Sequence, residues 1–335
     1  MNRFEYVRAG TVAEAVGAFG AGDRFIAGGT NLIDLMKYEV EKPGRLIDIT
    51  GLPLKGIDEA DGGLRLGALA TNATVAYDSR VAERYPLLRN AILAGASAQL
   101  RNAATTGGNL LQRTRCYYFY DAGTPCNKRE PGSGCPAIGG VNRIHAIFGT
   151  SDQCIATHPS DMCIALAALE ATVRVSGPSG ERTIPFAEFH RLPGNEPQRD
   201  TNLKDGEIVV SVDLPEQGFA RNYTYLKLRD RLSYAFALVS VAVALDLDGD
   251  TIKTARLALG GVAHKPWRNV EAEAELAGKP ATRETFEKVA AMIVAEAKPQ
   301  SENGFKIELA RRAIVRGLEQ AAAGTPQSLS DKRIQ

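Results

Sequence analysis

Outside residues 116–163 the chain has no cysteine; its five thiols are Cys116, Cys126, Cys135, Cys154 and Cys163. It also lacks net charge, with 40 Lys and Arg against 39 Asp and Glu, a formal balance of +1. The basic surplus of a protein that tracks nucleic-acid phosphates is therefore missing. Long apolar runs are missing too. Ile164–Leu169 and Tyr234–Leu245 fall far short of the roughly 20 residues that a spanning helix needs, so no membrane span is expected. The first residues, Met1-Asn2-Arg3-Phe4-Glu5-Tyr6-Val7, hold neither an apolar stretch nor a twin arginine. No targeting signal of the chain's own is expected, and export would depend on a partner. With no Ser or Cys nucleophile motif near the four His, hydrolysis is not indicated.

What remains is ordinary globular material: 335 residues, 44% hydrophobic and 24% charged, a length suited to about two domains. Thr11 followed by Glu14 forms a capping-box pattern for a first helix. Phe25–Ala27, Arg45–Ile49 and Leu64–Ala68 read as strands, and Leu32–Lys37 reads as a helix start. Thr74–Tyr77 and Leu87–Ala94 carry helical signals. From Thr114 to Ile155 periodicity disappears into Gly, Pro, Asn and Cys, as in a long loop that is functional or tied down. A helix over Pro159–Ala171 follows, then strands at Thr172–Val175 and Glu207–Leu214, with an exposed loop at 190–206 between them. A second unit starts near residue 220. Asn222–Leu228 and Thr254–Leu259 are strand-like, and Tyr234–Val243 is apolar enough to be a buried helix or strand. Residues 283–299 and 304–322 are amphipathic helices, and the polar tail from Gly324 is expected to fray.

Three clusters invite a phosphorylated ligand. Ala27-Gly28-Gly29-Thr30-Asn31 joins a strand to a helix, where successive glycines can turn N–H groups into one concavity suited to a pyrophosphate. It is not the GxGxxG of a conventional NAD site. Ala104-Thr105-Thr106-Gly107-Gly108-Asn109 offers hydroxyls, amides and backbone N–H groups. Thr157-His158-Pro159-Ser160-Asp161 stands at a helix start. Each alone could be a simple turn or cap. Together they suit a dinucleotide, which needs several anchoring points.

The cysteines run Cys116-x9-Cys126-x8-Cys135-x18-Cys154, inside the irregular segment. Such a segment can wrap a metal centre, which then organises it in place of an apolar core. Zinc, an iron–sulfur cluster and disulfides all stay open on spacing alone. Arg113, Arg115, Lys128 and Arg129 would offset the negative charge of thiolates. His145 and His158 lie close enough in sequence to replace a thiolate, whereas Cys163, on an apolar helix, reads as a buried structural thiol.

In this order and spacing the motifs resemble the flavoprotein (medium) subunit of the molybdenum hydroxylases, the family of xanthine dehydrogenase, carbon monoxide dehydrogenase and aldehyde oxidoreductases. The resemblance spans nearly the whole chain: Ala27–Ile33, Thr105–Asn109, Ser160-Asp161, Gly206–Val209, Lys227 and Leu259–Arg268. It implies an α+β fold. A two-part FAD-binding domain of the vanillyl-alcohol-oxidase type would cover 1–218, and a C-terminal α/β domain of the carbon monoxide dehydrogenase flavoprotein type would cover 219–325, before a polar tail at 326–335. It further implies FAD contacts at Ala27, Gly28, Gly29, Thr30, Asn31, Leu32, Thr105, Gly108, Asn109, Ser160, Asp161, Ile208 and Lys227. An insertion at about 114–154 sets the chain apart from most of the family. Here it is similar to the flavoprotein of periplasmic aldehyde oxidoreductase, where such a segment binds a [4Fe–4S] cluster.

On that resemblance Cys116, Cys126, Cys135 and Cys154 are the expected cluster ligands, and no catalytic residue is expected in this chain. The implied role is electron transfer within a three-subunit aldehyde oxidoreductase. Electrons would come from a [2Fe–2S] small subunit, after substrate oxidation on a molybdenum-cofactor large subunit, and would go to an external acceptor. A periplasmic location, as passenger of a twin-arginine-exported partner, is expected, with the cytoplasm as alternative. A self-contained flavin oxidase or reductase and a zinc-stabilised binding module are the competing readings.

Overall fold

A computed structural model describes residues 1–330. Two sheets build the first part. Glu5–Arg8, Arg45–Asp48 and Arg24–Ile26 form a parallel sheet with Arg45–Asp48 in the middle. Ile57–Ala60, Gly63–Gly67, Ile208–Leu214, Thr172–Gly177 and Gly180–Pro185 form an antiparallel one, in that order. The third sheet, also antiparallel, places Val239–Asp248 between Asn222–Leu228 and Thr251–Gly260. This mixed α/β architecture agrees with the expected fold class.

The run around residues 239–245 was ambiguous in sequence because the strand is buried on both faces, as near-continuous apolar strands are. Val241, Val243 and Leu245 face the helices Arg283–Val294 and Phe305–Ala322. Ala242 and Ala244 face the other way and join the core of the first part. Their small side chains let the helix Asp161–Ala168 approach the sheet. That helix is buried from Met162 to Ala168, so it shows no amphipathic stripe. Residues 234–238 are not part of the strand, and Tyr234 and Phe236 stand exposed.

Three strands escaped the sequence reading. Glu5–Arg8 is exposed at every position and Ile57–Ala60 sets its two acidic residues side by side, so neither shows alternation. Gly180–Pro185 is also an edge strand and mostly exposed. The tail differs from expectation as well. Gln327 accepts from the Lys227 N–H at 3.0 Å and donates its own N–H to Thr224 Oγ1 at 2.9 Å, covering the edge strand Asn222–Leu228. Residues 331–335 of the expected tail lie outside the described residues.

The cysteine-rich segment contains one helical turn, Tyr117–Tyr120, and is otherwise held by side chains. Arg129 donates to the carbonyls of Tyr118, Phe119 and Thr124. Asn127 bridges Gly134 N and Gln153 O. Its end is bolted to the C-terminal helices. Lys306, fully buried, donates to the carbonyls of Ile144, His145 and Gly261 at 2.8–2.9 Å. Asn142 exchanges hydrogen bonds with Ser301 and Glu302.

Removing the Lys306 ammonium strands three buried acceptors. Lys306→Met is expected to lower unfolding free energy by about 2–4 kcal/mol in urea titrations, whereas Lys253→Met, on an exposed strand position, should leave the midpoint almost unchanged.

Candidate functional site

A cleft of about 450 Å³ is lined by the parallel sheet, the start of the strand Ile208–Leu214 and the loop Gln198–Glu207. Its floor is the turn after the strand Arg24–Ile26. Gly28 has no room for a side chain, because a Cβ there would fall 1.9 Å from the Ala103 carbonyl oxygen. Gly29 sits at φ +69°, the left-handed region that glycine tolerates. Among the described residues the backbone N–H groups of Gly28, Gly29, Thr30 and Asn31 make no backbone hydrogen bond. Asn31 Oδ1 accepts from Arg113 N at 2.9 Å, while its Nδ2 is buried with no partner. Thr105 Oγ1 accepts from Gly108 N, which shapes the second loop. Phe25, Leu35 and Ile208 supply apolar wall. Unpaired amides at one end and apolar wall at the other suit a diphosphate joined to flat rings.

Ala27, Gly28, Gly29, Thr30, Asn31, Leu32, Thr105, Gly108 and Ile208 all line this cleft. Asn109, Ser160, Asp161 and Lys227 do not; they form a buried polar network reached through Asn109, the residue after Gly108. Ser160 donates to Asn109 Oδ1 at 2.6 Å and caps the following helix through Cys163 N. Asn109 in turn donates to Asn72. Lys227 pairs with Asp161 at 2.8 Å and donates to Ala94 O, and Tyr225 O–H donates to the other Asp161 oxygen at 2.6 Å. Lys227 is thus a buried ion-pair partner.

The four cysteines of the irregular segment line one small chamber. Phe119, Pro125, Ala137, His145 and Lys128 help complete it. All four are free thiols, which answers the disulfide reading. Burial pushes the Cys116 thiol up to about 12. Cys135 and Cys154 share a hydrogen bond that holds Cys135 down to about 6 and pushes Cys154 up. His145 Nε2 stands 3.1 Å from Cys116 Sγ. His158, the other histidine considered as a substitute ligand, lies outside the chamber.

The chamber measures about 10 Å³ as the side chains stand, so a cubane cluster would have to spread the thiols. Tetrahedral zinc at about 2.3 Å would instead need sulfurs only about 3.8 Å apart. Among the described residues one trio of His, Cys or carboxylate ligand atoms lies within 4.8 Å of one another, and it draws on none of these four cysteines. Four thiols around one small, largely apolar space with a buried cation beside it are a donor set that suits an iron–sulfur cluster.

A single ion network separates chamber from cleft. Lys128, which lines the chamber, pairs with Asp200 at 2.5 Å; Arg113, which lines the cleft with Asp200, pairs with the other Asp200 oxygen at 2.9 Å. Arg113 also reaches Glu41 at 2.5 Å. Burial alone would push the Asp200 carboxyl up, but Lys128 and Arg113 hold it well below the usual carboxylate range. Sequence reasoning had Arg113 and Lys128 only as compensating charges and missed Asp200, because the loop 190–206 read as exposed. Nothing local marks this acid; its partners lie 87 and 72 residues away.

Comparison with known proteins follows the same outline. A family pattern described as the FAD binding domain in molybdopterin dehydrogenase matches residues 2–217. One described as the CO dehydrogenase flavoprotein C-terminal domain matches residues 223–321. The chain is 51% identical to the aldehyde oxidoreductase FAD-binding subunit PaoB of Escherichia coli, over 96% of this chain and 99% of that one. It is 27% identical to the carbon monoxide dehydrogenase medium chain of Hydrogenophaga pseudoflava, over 96% and 98%. The solved carbon monoxide dehydrogenase of that organism superposes with a TM-score of 0.76, covering 96% of this chain and 98% of that one.

The ion network gives a pH signature. Asp200→Asn leaves Lys128 buried without its counter-charge and should cost about 3–5 kcal/mol at pH 7. The folded pKa of Asp200 lies below its unfolded value of about 3.9, so its contribution is full above that pH and lost as pH falls through the folded value. Urea midpoints of the two proteins should therefore differ most near neutrality and converge below about pH 4.

Proposed function

The chain belongs to the FAD-binding medium subunits of the molybdenum hydroxylases, and from that premise we propose that it is the flavin subunit of an aldehyde-oxidising complex whose cysteine-rich insertion holds a [4Fe–4S] cluster. The adjacency of two sites carries this reading: four thiols line one chamber, and the chamber's Lys128 is paired to Asp200 of the cleft. FAD, when bound, supplies exchange between one-electron carriers and a two-electron acceptor.

The chain's own work is placement. The unpaired amides of Gly28, Gly29, Thr30 and Asn31 would take the diphosphate oxygens, with Arg24 and Arg113 nearby in the lining. Ile208, Leu35 and Phe25 keep water from the apolar part of the cleft. Asn109, Ser160, Asp161 and Lys227 would set the second loop and the adjoining helix around the cofactor. Cys116, Cys126, Cys135 and Cys154 would ligate iron, and Lys128 would balance the charge of the thiolates.

No residue here acts as acid or base on the substrate. Aldehyde oxidation would lie on a molybdenum-cofactor large subunit, with a [2Fe–2S] small subunit delivering electrons and an external acceptor removing them. Half the sequence is identical to a subunit named for aldehyde oxidation, which supports the aldehyde over carbon monoxide or xanthine. Passage to the periplasm with a twin-arginine-exported partner completes the proposal. The zinc module is the weaker reading because C-x2–4-C knuckles are absent from the spacing of the four thiols.

Two substitutions separate the sites. Cys116→Ser should drop iron from about four per chain to well under one while flavin stays bound. Gly28→Ala forces a Cβ against the Ala103 carbonyl and should lose flavin absorbance with iron retained. Unchanged iron in the first variant would sink the cluster assignment.

A further inference from the structure

His158, Cys163 and His190 bring three ligand atoms within 4.8 Å of one another, all of them buried. None of the three lines the cleft or the chamber. The two imidazoles stand with ring centroids 4.4 Å apart. His190 Nε2 is 2.9 Å from the Leu110 carbonyl, an acceptor only, so Nε2 carries the proton and Nδ1 holds a lone pair. That Nδ1 is buried with no hydrogen-bond partner, and so is His158 Nε2. Two buried ring nitrogens without partners are costly in an apolar interior unless something else satisfies them. A histidine whose outer nitrogen donates to a backbone carbonyl while its inner nitrogen is free has the arrangement that metal-binding histidines use.

We infer that His158, Cys163 and His190 form a three-ligand site for one borderline-soft cation, Zn²⁺ or Cu⁺, separate from both cofactor sites. The donor set of one thiolate and two neutral imidazoles matches either ion. Bonds of about 2.0–2.3 Å would place the three donors about 3.5–4 Å from one another, inside the spread observed. The backbone already fixes two of the ligands. His158 N donates to Ala263 O at 2.9 Å, and Cys163 N donates to Ser160 Oγ at 3.0 Å. The ion would staple the first turn of the helix Asp161–Ala168 to the segment that follows the short helix Phe186–Phe189.

The test uses the full chain, expressed in medium supplemented with zinc or with copper and analysed by mass spectrometry for metals. About one equivalent of zinc or copper beyond the iron is expected, with X-ray absorption giving one sulfur and two nitrogen neighbours; the metal retained identifies the ion. His190→Gln and, separately, Cys163→Ala should each lose that equivalent and keep flavin and iron, so one misfolded variant does not spoil the experiment. Less than about a tenth of an equivalent in both supplemented preparations overturns the site. So does an all-sulfur environment, or metal retained by both variants. Absence of flavin or iron from the unaltered chain would count against the function proposed above, and the zinc or copper content is scored independently of it.

Discussion

Asp200 is a single carboxylate shared by two walls. One oxygen holds Lys128, whose side chain is 1% exposed, and the other holds Arg113. Arg113 continues to Glu41, and Glu41 to Arg24 at 3.1 Å, on the parallel sheet. Five charges thus tie the cysteine-rich segment, the loop 190–206 and the first sheet into one unit. The loop is largely polar and could not seat itself by apolar burial. A lysine this deep is tolerable only with a counter-charge and further acceptors, which Asp200 and the Pro197 carbonyl provide. Take the carboxylate away and the partition between cleft and chamber loses what holds it closed from both sides.

The third sheet supplies the rigidity behind that partition. Alanines at 242 and 244 bring the helix Asp161–Ala168 close on one face, while valines and a leucine pack two amphipathic helices on the other. The first of those faces delivers Asp161 to Lys227 and Ser160 to Asn109, so the polar network beside the cleft inherits its position from apolar packing. The second face delivers Lys306 to the end of the cysteine-rich segment. Phe148 stacks on Trp267 at 5.1 Å and its N–H reaches Val262 O, so this irregular segment leans on a regular one.

Much of the fold was legible because burial on one face leaves a period. The helices Arg283–Val294 and Phe305–Ala322 are of that kind. Where burial was on no face, as in Glu5–Arg8, or on two, as in Val239–Leu245, the period vanished and so did the assignment. The turn at Gly28–Gly29 could be read because its chemistry is local. The four cysteines could be grouped because all lie in one irregular segment, and the fold lines one chamber with them. Asp200 could not, since a carboxylate in a polar loop takes its meaning from cations that the fold brings from elsewhere. Nor could sequence tell that Asn109, Ser160, Asp161 and Lys227 would satisfy one another, because hydrogen-bond partners across three elements leave no local trace.

The bolts between the cysteine-rich segment and the C-terminal helices span about 160 residues of sequence. During synthesis residues 140–146 leave the ribosome long before Ser301, Glu302 and Lys306 exist. Contacts of such separation form late, and the elements awaiting them stay loosely closed meanwhile. The segment that lines the chamber is therefore pinned at its far end only once the last long helix exists. The same helix that stabilises the finished subunit thus also sets the moment at which the four thiols take their final positions.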